Sequence, residues 1–286
     1  MKDLDAILAA VDRARPFPDV VLKAMRLLEE PDIPAWKVVE VIQYDPVITM
    51  RVLRVCNSAA MGLRQRVDTV QKALMILGSQ SMMRILASFA ALEMLSPGLD
   101  GYGLEQGEMW HHAVACASMT QILLTAMDQP GDLSVFTGGL LHDVGKVVLN
   151  EYVRRHGDEI VRLIYRMECS SPEAEADLIG MDHAEAGALL AERWRFPSNI
   201  TTMIRRHHEA VHPSRDPMAV CLVHLSNVLC LQMGIGTGGQ GMAVRSAPRL
   251  IEAFGLTPRL MDSCTSSLWS ELDKVRKIMD TSWKGD

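Results

Sequence analysis

Gly138-Gly139-Leu140-Leu141-His142-Asp143-Val144-Gly145-Lys146 is an apolar run that presents an imidazole, a carboxylate and an amine close together. Read as a helix, it carries Lys146 one turn beyond His142 and three residues beyond Asp143, so all three side chains face one pocket. Neutral imidazole and carboxylate are ligands for first-row divalent metals. The adjacent pair lets the carboxylate bridge a second ion while Lys146 faces a phosphate oxygen. A bare His-Asp pair is also compatible with a simple buried hydrogen bond, so the rest of the chain must decide. It supplies further donors: Glu108 and His112 four residues apart, a lone His183, and the pair His207-His208. Successive helices of one bundle can bring these seven residues to a common centre. Such a His-rich set suits iron, manganese, zinc or nickel better than magnesium, as one or two ions.

The elements that must position these donors read as helices throughout. Pro18 opens one with Val21, Leu22, Met25 and Leu28 at helical spacing, ending at Glu30-Pro31, and Asp32 caps the next. Pro46 suits the first turn of a helix running to Asn57-Ser58; Thr69 and Ser79 cap two more, separated at Gly78. The breaker-rich run Ser96-Pro97-Gly98-Leu99-Asp100-Gly101-Tyr102-Gly103 marks a lobe boundary, giving an N-terminal helical lobe over 1–100 and a second lobe with the candidate metal site over 101–286. In the second lobe, helices are expected from about Leu104, through His142, from Asp182 and from Pro197. Another follows Pro217, with His224 and Asn227 one turn apart. Gly234–Gly241 follows no strand and lacks a phosphate-loop pattern, so it reads as a flexible connection. The fold class is all-α and two-lobed.

Composition narrows the function. The chain has 286 residues, 48% of them hydrophobic, enough for a sizeable core. Its net charge of −6 gives no broad electrostatic footprint for nucleic acid or an anionic membrane. The Arg154-Arg155 and Arg205-Arg206 pairs read as solvated surface. No apolar run appears long enough to span a bilayer and the N-terminus is charged, so a cytoplasmic setting is expected. Six cysteines without C-x-x-C spacing suit buried, reduced thiols.

FPDVVLKAMRLLEEPDI, VIQYDPVITMRVLRVCNSAAMGL and VQKALMILGSQSMMRIL resemble the N-terminal half of the HDOD family. The resemblance implies a helical fold related to the HD superfamily of metal-dependent phosphohydrolases. It also implies a bacterial signal-transduction output module, in circuits that include cyclic di-GMP, acting through contacts with signalling proteins. A nucleotide ligand is compatible with that role. Glu108, His112, His142, Asp143, His183, His207 and His208 are similar in order and spacing to the metal ligands of the HD-GYP branch, with Lys146 at the phosphate-facing lysine. Lys146 is a catalytic candidate only if the protein is an enzyme, as a metal-dependent phosphohydrolase or phosphodiesterase. Two departures count against catalysis. His224-Leu225-Ser226-Asn227 puts an amide where HD enzymes carry a late Asp, making Asn227 a degenerate or outer ligand. No Asp-Gly-x-Gly-Tyr-Pro loop follows His208, so cyclic di-GMP hydrolysis is not expected. In the first lobe, Asn57 and Ser58 either end their helix with local hydrogen bonds or reach across and fix the angle between lobes.

Overall fold

The computed structural model describes residues 3–29, 33–63, 66–167, 169–209, 212–236, 238 and 247–283. Among them the chain is all-α, with no strand beyond an isolated bridge between Leu99 and Leu104. In chain order the helices are α1 (Leu4–Arg13), α2 (Asp19–Glu29), α3 (Ala35–Gln43), α4 (Pro46–Cys56), α5 (Val70–Leu95), α6 (Glu108–Ala126) and α7 (Leu133–Leu141). They continue with α8 (Gly145–Met167), α9 (Ser171–Ile179), α10 (His183–Arg193), α11 (Ser198–Arg206), α12 (Met218–Gln232), α13 (Pro248–Ala253) and α14 (Pro258–Trp283).

Several helices begin where a side chain satisfies their free backbone donors. Asp45 accepts from the amides of Val47 and Ile48, both at 3.0 Å, with Pro46 preset for the first turn. Asp132 does the same for α7 and Asp182 for α10. Ser170 and Glu173 form a reciprocal capping box on α9. The expected helix end at Glu30-Pro31 and the Asp32 cap lie outside the described residues. The two helices expected on either side of Gly78 meet there as one kinked α5, where Gly78 has φ 74°.

The chain divides into two compact units. Unit 1 comprises Met1–Arg15 and Ala91–Thr265, and unit 2 comprises Pro16–Ala90 and Ser266–Asp286. The breaker run 96–103 therefore lies inside unit 1, where it forms a short turn, Asp100–Tyr102, against α8. In unit 2, α2 packs on α3 and α3 on α4. Asn57 is committed locally there: its Nδ2 donates to the carbonyls of Leu53 (2.8 Å) and Val67 (2.7 Å), and its Oδ1 accepts from the Val67 amide at 2.8 Å. These bonds correct the interlobe reading of Asn57, because each lies within unit 2. Ser58 is buried beside it with its hydroxyl unpaired. The length and composition of α5 would allow it to cross a membrane, but Met82, Met83, Leu86 and Ala87 are buried within unit 2.

Unit 1 is built around α6, α7 and α12, which are apolar on nearly every face and pack on one another. Helices α8, α10 and α11 close the bundle, and α10 packs on both of the others. Arg205 ties α11 to α10 through Glu185 (2.8 Å) and Glu192 (3.0 Å). Arg206 pairs with Glu209 and Asp216, and Arg154 and Arg155 both pair with Glu151, so each Arg pair is engaged within the chain.

The run 138–146, expected as one helix, turns at its chemistry. Helix α7 ends at Leu141, residues 142–144 form a tight turn, and α8 starts at Gly145. The turn requires close approach to α10: a Cβ on Gly145 would overlap the carbonyl oxygen of His183 and lie 2.5 Å from the Gly187 nitrogen. Gly145→Ala must therefore push α8 off α10. The expected cost is about 1–3 kcal/mol in urea unfolding, as for overpacked cores. A variant as stable as wild type would contradict this packing.

Candidate metal centre

Asp143 is the hub. The elbow between α7 and α8 projects its carboxylate into the bundle, where its side chain is only 3% exposed. Lys146, at the start of α8, places Nζ 2.5 Å from Oδ2. Around the same carboxylate stand the Nε2 atoms of His183 (3.2 Å), His207 (3.4 Å), His142 (3.5 Å) and His112 (3.7 Å). His208 joins through His183, with 2.8 Å between their Nε2 atoms. One donor atom from each of Asp143, His183, His207 and His208 lies within 4.8 Å of the others, which is a spacing that can close around an ion.

The imidazoles are oriented from behind. His142 Nδ1 donates to the Gly139 carbonyl at 2.7 Å, His207 Nδ1 to that of Ile204 at 2.7 Å, and His112 Nδ1 to that of Ile235 at 2.9 Å. These bonds fix the tautomer and leave each Nε2 lone pair facing inward, the usual outer support of a metal-binding histidine. His183 Nδ1 donates instead to Glu175 at 2.6 Å, and Glu175 also accepts the His183 backbone amide at 2.9 Å. Tyr102 packs its ring edge-on to His183 and under Lys146. The Nε2 atoms of His142 and His207, together with Asp143 Oδ1, are buried with no hydrogen-bond partner. Buried polar atoms are seldom left so, and a cation would satisfy all three. The residues therefore fit a divalent metal.

Two sequence expectations need correction, and one residue was missed. Glu108 does not join the cluster: it is exposed in the first turn of α6, where its carboxylate accepts the Glu105 amide at 2.8 Å, as first-turn acids commonly do. Gly234–Gly236 is not a loose connection, because the Ile235 carbonyl anchors His112. Gly236 (φ 68°) meets that side chain so closely that any Cβ would collide with it. Thr237 and residues 239–241 of that stretch lie outside the described residues. Asn227 sits at the site as expected of an outer ligand, its Oδ1 3.1 Å from His112 Nε2. His224 donates to the His207 carbonyl at 2.8 Å and so braces the His-His segment. Glu175 was missed. Its only signal is that it occupies an otherwise apolar, buried face of α9 with Ala174 and Ile179.

The electrostatics follow the contacts. Burial acts to raise the Asp143 pKa, but the Lys146 ammonium and then His142 hold the carboxyl well below its usual range. Burial takes His112 and His142 down to about 4, with His142 and then Lys146 as the charged neighbours that lower His112, and His207 and then Lys146 those that lower His142. Burial opposes charge on His183 too, yet Glu175 and Asp143 outweigh it and push its pKa up to about 9. Between about pH 4 and 6.5 the unfolded chain binds protons that buried His112 and His142 refuse, so acidification through that window removes stability. The stability from His183 is fully present below pH 6.5 and is lost as pH rises through about 9. Chelator-treated protein should thus show a site contribution to unfolding free energy that peaks near pH 6.5. His183→Asn should flatten the alkaline limb alone, and an unchanged alkaline limb would contradict the Glu175–His183 pairing.

Known proteins share the family and the fold of this chain. The family model for the HDOD domain matches residues 15–210. An uncharacterized protein of Treponema pallidum (strain Nichols) is 28% identical over 210 residues, covering 72% of this chain but only 40% of that protein. An HDOD domain protein of Geobacter sulfurreducens superposes with a TM-score of 0.71 at 22% identity, covering 98% of this chain and 96% of its own. A "Putative signal transduction protein" of Marinobacter aquaeolei VT8 gives 0.75 at 22% identity, covering 98% of this chain and 65% of its own. A "Putative metal-dependent phosphohydrolase" of Shewanella amazonensis SB2B gives 0.61 at 17% identity, covering 98% of each chain. These solved structures share the fold. With the family model spanning most of its 286 residues and the helical fold in common, the chain belongs to the HDOD family.

Proposed function

We propose that the protein is a regulatory module of bacterial signal transduction that holds a divalent transition metal at Asp143, His183, His207 and His208, and passes its state on through contacts with signalling proteins. The observation that carries the metal part is the convergence of one donor atom from each of these four residues within 4.8 Å, with Asp143 Oδ1 and His207 Nε2 buried without a hydrogen-bond partner. Glu175 is a positioning residue, because it orients His183 and raises the basicity of the nitrogen opposite. The His-rich set favours iron, manganese, zinc or nickel. The free cysteines suit a cytoplasmic setting.

A second reading, metal-dependent phosphoester hydrolysis, is favoured by Lys146, whose side chain is 16% exposed beside the carboxylate and so could face a phosphate. When bound, the metal would supply a polarised water and a clamp on phosphate oxygens. Asn227 weighs against it. An amide beside His112 contributes no charge toward a hard cation or a bound water, where a carboxylate would.

Metal analysis of protein purified without chelator should find bound transition metal in wild type and none in the combined Asp143→Ala, His207→Ala variant. Glu175→Gln should weaken metal binding roughly 10- to 100-fold while the fold survives. Equal metal content in all three would overturn the proposal. Robust turnover of an activated phosphodiester by wild type, abolished in Asp143→Ala, would replace the regulatory reading with the hydrolytic one.

A further inference from the structure

Unit 2 presents an apolar face on α3 and α4 to solvent. On α3, Val38 and Ile42 are fully buried, and the opposite side carries Trp36, Glu40 and, at the helix end, Tyr44 at intervals of four residues. On α4, Ile48, Val52, Val55 and Cys56 are buried, while Val47, Met50 and Arg54 are exposed on the opposite arc of the helix. The two stripes meet at Tyr44, the C-terminal cap of α3 and the neighbour of Asp45, which caps α4. The corner is fixed, because Asp45 accepts the Val47 and Ile48 amides and the Thr49 hydroxyl donates to the Ile42 carbonyl at 3.1 Å.

The size of the face indicates a partner. Trp36, Tyr44, Val47 and Met50 are 58%, 78%, 48% and 52% exposed, and Tyr44 is the most exposed large apolar side chain among the described residues. With a whole aromatic side chain at roughly 200 Å², these four leave roughly 500 Å² uncovered, toward the upper end of what a monomer shows. Glu40, Arg51 and Arg54 extend the face toward the roughly 800 Å² per partner of a stable interface.

The charges indicate which partner. Glu40 stands at one end of the face and Arg54 at the other, each seven residues from Val47. No acidic residue occurs between Pro46 and Val67, so the α4 end is basic throughout. An anionic membrane or an acidic protein helix would suit Arg51 and Arg54 but be repelled by Glu40. A second copy of the chain suits both ends, because a two-fold axis at Val47 sets Glu40 of one protomer against Arg54 of its partner, twice.

We infer that this face of α3 and α4 joins two copies of the chain in a two-fold symmetric dimer, with Tyr44, Val47 and Met50 packed around the axis and Glu40–Arg54 ion pairs at the two ends. It uses none of the residues around Asp143 and stands apart from the metal reading.

The test is sedimentation velocity of the full-length chain over a range of concentrations, with circular dichroism to confirm that each variant is folded. Wild type should form a dimer. Val47→Glu sets a charge against its own copy at the axis and should leave a monomer. Glu40→Arg and Arg54→Glu each create two like-charged pairs and should weaken self-association roughly tenfold or more. Mixing these two single variants should restore a dimer, since each then meets the opposite charge at both ends. Wild type that stays monomeric at every concentration would overturn the proposal. So would a dimer indifferent to Val47→Glu, or single reversals that do not recover on mixing. Monomeric wild type that binds phosphatidylglycerol vesicles would assign the face to a membrane instead.

Discussion

A single buried carboxylate governs the second half of this molecule. Taking a carboxylate out of water costs several kcal/mol unless cations and donors replace the lost solvation. Asp143 has one ammonium at 2.5 Å and four imidazole nitrogens between 3.2 and 3.7 Å. Those groups arrive from α6, from the elbow between α7 and α8, from the start of α10 and from just beyond α11, so the site requires each of those helices to end where it does. The constraint reaches the packing. Gly145 must be glycine for α8 to approach α10, and Gly236 must be glycine for its loop to close on His112.

This dependence explains how the site divides its work. Glu175, Gly139, Ile204 and Ile235 receive the outer nitrogens and orient the rings. Asp143 and the inner nitrogens are then left with more donor capacity than the protein satisfies. Lys146 neutralises the carboxylate in the absence of a metal and would have to yield part of that contact to one. The Lys146–Asp143 contact is therefore the part of the site that a bound metal would change most.

Much of this was legible in the sequence because it rests on local chemistry. Asp45, Thr69 and Asp182 mark helix starts through bonds to amides two or three residues away, Pro46 through its fixed φ in the first turn, and polar residues such as His142 and Asp143 stand out inside apolar runs. What depends on tertiary geometry was not legible. Spacing of four puts Glu108 and His112 on one face, but it does not show that a first-turn carboxylate turns back to a backbone amide. Glu175 reaches His183 across the left-handed turn at Gly180, a path that helical periodicity does not trace. Asn57 looked able to report between lobes, yet its amide is used by Val67 only ten residues away.

Anomalous diffraction from crystals grown without chelator is the most direct measurement of the central claim. The account requires a transition-metal peak within about 2.0–2.2 Å of an Asp143 oxygen and of imidazole nitrogens from His183, His207 and His208. Protein given ample iron, manganese, zinc and nickel that shows no such peak, and keeps His183 Nε2 2.8 Å from His208 Nε2 with Lys146 on Asp143, would contradict it.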